Sequence, residues 1–274
     1  MKRAYVTVTS HGESDVPGVE ALGASLRASG TREPMVVLAG RDVSPRARAR
    51  LAAQGFWIRD IEPLGGEGRP RRRFEKLRAW ELVEYDRVVF LECDALVLRN
   101  VDDLFERPEL SAAPDLLDPE RFDTGVMVLA PSQQTFAKLV DAADGAEGDE
   151  GEQGLLNSVF GGWRTGAAAR RLPLEYNLCN FLYPFLLCQP GPRGAVGQDA
   201  RILRYGMQKP WQLAPRLTAA SSLWWESYFD ARPELDRAFR RRLHAAGDLL
   251  FERVAGGLLA GVAAGHEGVR RSVS

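Results

Sequence analysis

The segment Arg87-Val88-Val89-Phe90-Leu91-Glu92-Cys93-Asp94 constrains this chain more than any other. Its first residues form a short apolar run rich in β-branched and aromatic side chains, the pattern of a buried strand. That run ends in two carboxylates one residue apart, and a second apolar run, Ala95 to Leu98, follows. In an open α/β sheet, ligands bind beyond the carboxyl ends of the strands, so acids placed there stand where a ligand would. Residues i and i+2 of extended backbone project from one side, so Glu92 and Asp94 can converge while Cys93 turns to the opposite face as a packed thiol. Two hard oxygen donors at one point suit Mg²⁺ or Mn²⁺, which in turn could bridge a diphosphate. A pair of solvated loop acids is the alternative, and the strand in front of them favours the site.

Taken in order, the chain alternates strands and helices, which predicts a mostly parallel sheet with helices on both faces. Ala4 to Ser10 is the first predicted strand, and His11-Gly12-Glu13-Ser14 its exit loop. Val19, Leu22 and Leu26 then fall at helical spacing. Pro34 to Ala39 is a second strand. Ser44-Pro45 opens a helix in the order N-cap then first-turn proline, and Gly55 closes it. Phe56 to Ile58 is a third strand. A chain of 274 residues with 45% hydrophobic and 27% charged residues is ordinary for one globular α/β domain with a sizeable core.

Leu64 to Arg73 holds too much Gly, Pro and charge for a core element and is predicted to be a loop. Its four arginines would clamp phosphates or simply be solvated. Leu77, Trp80 and Leu82 follow on a helical pattern, with Lys76 able to reach an anionic ligand at the strand ends or to be a surface lysine. The net charge of −1 gives no reason to propose nucleic acid or an anionic membrane as partner. Cys93, Cys179 and Cys188 lack metal-ligand spacing and read as reduced thiols of a cytoplasmic protein. No apolar stretch approaches the ~20 residues that span a bilayer. Leu223 to Phe229 is an aromatic segment expected to pack back on the main domain. Pro233 to Val262 reads as a helix that docks on the sheet, forms a homodimer seam or lies on a membrane, in that order of preference. The expected division is a main domain over 1–215, a helical extension over 216–264 and a disordered tail over 265–274.

The block Glu92-Cys93-Asp94-Ala95-Leu96-Val97-Leu98-Arg99-Asn100-Val101-Asp102-Asp103-Leu104-Phe105 resembles the metal-site segment of the glycogenin-like retaining glycosyltransferases of family 8. Further motifs of that family follow in order. They are Leu110-Ser111-Ala112-Ala113-Pro114-Asp115, Phe122-Asp123-Thr124-Gly125, Glu152-Gln153-Gly154-Leu155-Leu156-Asn157, Leu172-Pro173-Leu174-Glu175-Tyr176-Asn177 and Gly206-Met207-Gln208-Lys209-Pro210-Trp211. The resemblance runs from about Ala4 to Trp211. It implies a single GT-A domain with a mixed central sheet and a UDP-sugar donor, most simply UDP-glucose. The acceptor hydroxyl would belong to a carbohydrate, a protein or a small molecule.

The same resemblance implies roles. Val8, Ser10, His11 and Ser14 at the exit of the first strand would hold uracil and ribose. Glu92 and Asp94 would bind Mn²⁺ or Mg²⁺, with Cys93 between them at the donor. Lys76, Thr124, Gly206 and Lys209 would support the donor and its phosphates, and Asp123, Glu152 and Gln153 the sugar and acceptor side. Glu152 is the candidate acid at the anomeric carbon, attacking it or steadying an oxocarbenium-like state. The sequence departs from the family in three ways. Glu92 and Glu152 stand where glycogenin has aspartates. Leu203, which cannot ligate a metal, stands at the position of the family's metal-binding histidine; the two carboxylates with diphosphate oxygens would then hold Mg²⁺ or Mn²⁺ more weakly, or Arg204 beside it would supply positive charge to the phosphates directly. The family's acceptor tyrosine maps onto Pro184, next to Tyr183. These departures carry a second function hypothesis, a nucleotide-sugar-binding protein on the same fold with impaired turnover. Trp163, Trp211, Trp224 and Trp225 are read as core ahead of sugar-stacking platforms.

Overall fold

The computed structural model describes residues 1–64, 72–144, 151–206, 209–212 and 219–232. The strand runs found in the sequence form four adjacent strands of a six-stranded sheet: β1 (Arg3–Val8), β2 (Met35–Ala39), β3 (Phe56–Asp60) and β4 (Arg87–Leu91). β1 pairs in parallel with both β2 and β4, and β2 in parallel with β3. The order is β3-β2-β1-β4-β7-β6, with β6 (Ser111–Pro114) and β7 (Phe122–Leu129) continuing the sheet antiparallel beyond β4. The sheet is therefore mixed, as the family resemblance implies: three of its five pairings are parallel and two antiparallel. The segment before β7 is a short turn, not a crossover helix, so β7 has to run antiparallel to its neighbours.

Helices cover both faces. On one side α1 (Val16–Ala28) and α2 (Pro45–Ala53) bury Val19, Leu22, Leu26, Ala47 and Leu51 with Tyr5, Val37 and Val89 of the sheet. Ser44 caps α2 as its sequence predicts: its side chain accepts from the Ala47 N–H at 3.2 Å, and Pro45 takes the first turn, where no amide is needed. On the other side α3 (Gln133–Asp144) and α4 (Gly151–Val159) pack with Trp80, Phe90 and Met127. The residues around Leu77 and Trp80 are a 3-10 helix over Arg72–Glu81, in place of the α-helical spacing read from the sequence. Of the predicted arginine loop, 65–71 lie outside the described residues.

A three-stranded sheet stands beside the first, in the order β5-β9-β8, built from β5 (Ala95–Val97), β8 (Leu178–Cys179) and β9 (Ile202–Arg204). β5 is the apolar run after Asp94, so the chain passes from one sheet to the other through the acidic pair. Two short helices, α5 (Tyr183–Leu187) and α6 (Pro192–Gln198), precede β9. α7 (Ala219–Ala231) lies along α1. It carries Trp224 into a cluster where that ring stacks on Trp211 and on Tyr228, with centroids 5.3 and 5.1 Å away. Trp163 and Trp224 are core, as expected. The predicted helix over 233–262 and tail over 265–274 lie outside the described residues. Among the described residues no helix is long and apolar enough to cross a membrane, and the three cysteines are free.

Candidate active site

The carboxyl ends of β1 and β4, the start of α4 and the segment after β9 converge on one cleft with a cavity of about 290 Å³. Val8, Ser10, His11 and Asp15 line it from the exit of β1, Glu92, Cys93 and Asp94 from the exit of β4. Lys76, Glu152 and Lys209 complete the wall. These are residues the sequence separates by up to two hundred positions, and the parallel pairing of β1 with β4 places their loops side by side.

Lys76 stands at the centre. The 3-10 helix that carries it leaves it only 3% exposed, and its ammonium donates to Glu92 Oε1 at 2.6 Å and to Thr124 Oγ1 at 3.1 Å. Glu152 Oε2 lies 3.4 Å away. Arg204 reaches in from β9, donating from Nη1 to Glu92 Oε2 at 3.2 Å and from Nη2 to Asp123 Oδ2 at 2.5 Å. Lys209 Nζ donates to Asp94 Oδ2. Asp123 is held further by the Gly125 N–H at 2.7 Å and by Asn177 Nδ2 at 2.9 Å.

These pairings set the charges. Burial pushes Glu92 up, but Lys76, Arg204 and Lys209 more than offset it and hold this carboxyl well below its usual range. Asp94 moves the other way, raised by burial and by the negative charge of Glu92, which Lys209 and Arg204 only partly offset. Glu152 is raised to about 7, chiefly by burial, despite Lys76 beside it. Burial disfavours the charges on Lys76 and Arg204, yet the surrounding carboxylates keep both more firmly protonated than usual. Burial also pushes the Cys93 thiol well up, which fits a packed thiol and not a nucleophile.

The remaining expected site residues fall into two groups. Thr124 touches Lys76, and Gln153 bridges Asp115 Oδ2 at 2.8 Å and the Thr124 N–H at 3.4 Å, so both stand directly behind the cleft. Gly206 lies beside the guanidinium of Arg204, where a Cβ would come to 3.0 Å from Cζ and Nη1. Ser14 is turned away: its hydroxyl donates to the His11 carbonyl and its own carbonyl accepts from Trp211 Nε1 at 2.8 Å. Three residues join the site without a role foreseen for them. Asp15, 4% exposed, lines the cleft and accepts from the His11 N–H at 2.8 Å. Asn177 positions Asp123, and Asp115 positions Gln153. Asp115 and Asn177 lie within stretches that carry the family resemblance, so the signal was present. Asp15 had only its place just past the first strand.

Buried oxygens without a partner mark where a ligand's donors would go. Asp94 Oδ1 and Glu152 Oε1 are both buried and unbonded in the wall of the cleft, and leaving such groups unpaired costs on the order of 1–3 kcal/mol each. A molecule bearing anionic oxygens and hydroxyls would meet the two lysines and these two acceptors at once.

GT-A glycosyltransferases generally use a divalent metal with the nucleotide-sugar, and the donor set here can be tested for one. Mg²⁺ and Mn²⁺ ask for about six oxygen ligands in near-octahedral array. Both oxygens of Glu92 and one of Asp94 already face cations, which leaves Asp94 Oδ1 alone from the acidic pair. Leu203 points into the apolar cluster of the small sheet with Leu96 and Trp224 and brings no ligand. Among the described residues no group of three or more His, Cys, Asp or Glu is placed to hold a metal ion. These residues do not fit a divalent ion.

No protein-family model matches the chain. Glycogenin-1 of Mus musculus is 33% identical over 285 residues, covering 93% of this chain and 84% of that protein. Glycogenin-1 of Oryctolagus cuniculus is 36% identical over 222 residues, 76% of this chain and 65% of that one. The UDP-glucuronate:xylan alpha-glucuronosyltransferase 1 of Arabidopsis thaliana is 31% identical, and this chain spans 32% of its length. Among solved structures, the bifunctional glycosyltransferase WbbM superposes with a TM-score of 0.63 at 18% identity, over 82% of this chain and 49% of that one. The galactosyltransferase LgtC, in complex with donor and acceptor sugar analogs, superposes with a TM-score of 0.59 at 18% identity over 86% of this chain and 99% of its own. These structures share the GT-A fold with this chain.

Proposed function

The chain belongs to the glycogenin-like glycosyltransferases of family 8, and from that premise we propose that it transfers a hexose, most simply glucose, from a UDP-sugar to a hydroxyl acceptor with retention of configuration. The observation that carries this reading is the pairing, in one cleft, of Lys76 and Lys209 with the unbonded acceptors Asp94 Oδ1 and Glu152 Oε1. A diphosphate needs fixed cations and a sugar needs buried acceptors for its hydroxyls, and this cleft supplies both.

In the proposed mechanism the uridine lies along Val8, Ser10 and His11, where the exit loop of β1 offers an open wall. Lys209 and Lys76 take the diphosphate and stabilise the charge that grows on UDP as the glycosidic bond breaks. The sugar then lies toward Glu152, with Gln153, Thr124 and Asp123 behind it. Ionised Glu152 supplies negative charge to the anomeric carbon as it becomes cation-like. α4 carries this carboxylate to within 3.4 Å of Lys76. Asn177, through Asp123, and Asp115, through Gln153, fix the orientation of the groups around the sugar. We further propose that 1–215 form the transferase domain, against whose α1 the helix α7 packs, and that the free thiols belong to a cytoplasmic protein.

The test is turnover of a panel of UDP-hexoses, with the anomeric configuration of the product read by proton NMR. The reading expects one donor to be consumed with its α-configuration kept. Inversion would remove the proposed role of Glu152.

A further inference from the structure

The resemblance implies a metal-binding histidine three residues before the glycine of the last motif, and counting back from Gly206 assigns that position to Leu203. Strand alternation decides otherwise. β9 pairs with β5 so that Leu203 lies opposite Leu96 and is buried in the small sheet's core, while Arg204, one residue on, is turned toward Glu92 and Asp123. What this strand delivers to the acidic pair is a guanidinium.

The surroundings are shaped for it. Gly125 lies under the Arg204 stem, where any Cβ would collide with Arg204 Cδ, and a Cβ on Gly206 would come within 3.0 Å of Arg204 Cζ and Nη1. The side chain thus runs through a slot between two glycines, one on β7 and one in the predicted phosphate-binding motif. Its bonds go to Glu92 from Nη1 and to Asp123 from Nη2, so guanidinium N–H groups are left over, and a quarter of the side chain remains accessible. A divalent ion would meet three fixed cations and a single unengaged oxygen of the acidic pair. A phosphate oxygen, by contrast, is the partner for which a guanidinium fork is best suited.

We propose that Arg204, with Lys76 and Lys209, takes the place of a divalent metal in holding the donor's diphosphate, so that this chain binds and uses its nucleotide-sugar without one. The proposal rests on the UDP-sugar reading of the cleft. In it Glu92 serves as the anchor that holds Arg204 and Lys76 in position, and Gly125 and Gly206 give the guanidinium room.

UDP binding measured by calorimetry, in chelator and in Mn²⁺, tests it, together with titration of Mn²⁺ against the protein by electron paramagnetic resonance. The expected result is UDP affinity equal within about twofold in the two buffers, and no uptake of Mn²⁺ by the protein with or without UDP. Arg204→Ala should weaken UDP binding in chelator by about ten- to a hundredfold, the range of a lost charge-assisted contact. Arg204→His frees Glu92 Oε2 and should make UDP binding responsive to Mn²⁺. UDP affinity in the unaltered chain that rises more than about tenfold with Mn²⁺ would overturn the proposal while leaving the donor reading intact. Unchanged UDP affinity in a folded Arg204→Ala variant would overturn it as well. Failure of UDP to bind in either buffer would overturn the donor reading itself, and this inference with it.

Discussion

Substituting Glu152 by glutamine should separate stability from activity in opposite directions. The carboxyl is 15% exposed, its Oε1 has no partner and its Oε2 is 3.4 Å from Lys76. Burial raises it from an ordinary 4.5 to about 7. A carboxyl raised in the folded state favours folding while protonated, and that contribution is lost as the pH climbs from its unfolded value through about 7. The gap corresponds to about 3 kcal/mol, of which about 2.5 kcal/mol falls between pH 5 and pH 8. Glutamine keeps the shape, cannot ionise and carries none of this dependence. Urea unfolding at the two pH values should therefore show the unaltered protein losing about 2.5 kcal/mol more than Glu152→Gln on going to pH 8. UDP release by the variant should fall by about 10²–10³-fold, since charge aimed at the reacting centre is removed. In the unaltered protein, turnover should rise through about pH 7 as the carboxylate forms. Identical pH dependence of stability in the two proteins would refute the burial argument, whatever the activity did.

Three other substitutions probe the frame around the cleft. Gly125→Ala puts a methyl into the Arg204 slot and should reproduce the loss of UDP affinity of Arg204→Ala by calorimetry; unchanged affinity would mean that the guanidinium has no part in donor binding. Asn177→Ala removes the 2.9 Å donor to Asp123 and should cost about 1–3 kcal/mol in urea unfolding, with kcat falling more than KM rises; a change in KM alone would contradict the positioning role. Glu20, fully buried on α1, accepts from Arg50 of α2 at 2.8 Å and Arg232 after α7 at 3.3 Å. Glu20→Ala should destabilise by about 3–5 kcal/mol, and a loss below about 1 kcal/mol would show that the pair is not needed to seat the C-terminal helix.

Much of this site is legible in the sequence because local rules and fold agree there. The run from Arg87 to Leu91 carries the pattern of a buried strand, and as β4 it sets the acids that follow it at the sheet's carboxyl edge. The cap Ser44-Pro45 speaks for itself. What the sequence hides depends on distant neighbours. β5, β8 and β9 are two or three residues long, too short for periodicity to register, and exist because β5 and β8 each pair with β9. α1 shows one apolar stripe, yet Ala21 and Ser25 are buried too, since α7 and β5 cover its outer side, and Gly23 is closed off by Phe56 of β3. Arg204 is the instructive case: counting along a motif points to Leu203, and only the pleat of β9 says which of the two faces the acids. Asn177 finds Asp123 across 54 residues, which no local pattern encodes.

UDP release decides whether this cleft turns over a nucleotide-sugar with Glu152 at the reacting carbon. The measurement is the rate of UDP formation from a panel of UDP-hexoses by the full chain and by its folded Glu152→Gln variant. The account predicts release from one donor above the others, and loss of about 10²–10³-fold in the variant with UDP affinity kept. No release from any UDP-hexose by a chain that binds UDP, or equal rates in the two proteins, would contradict it.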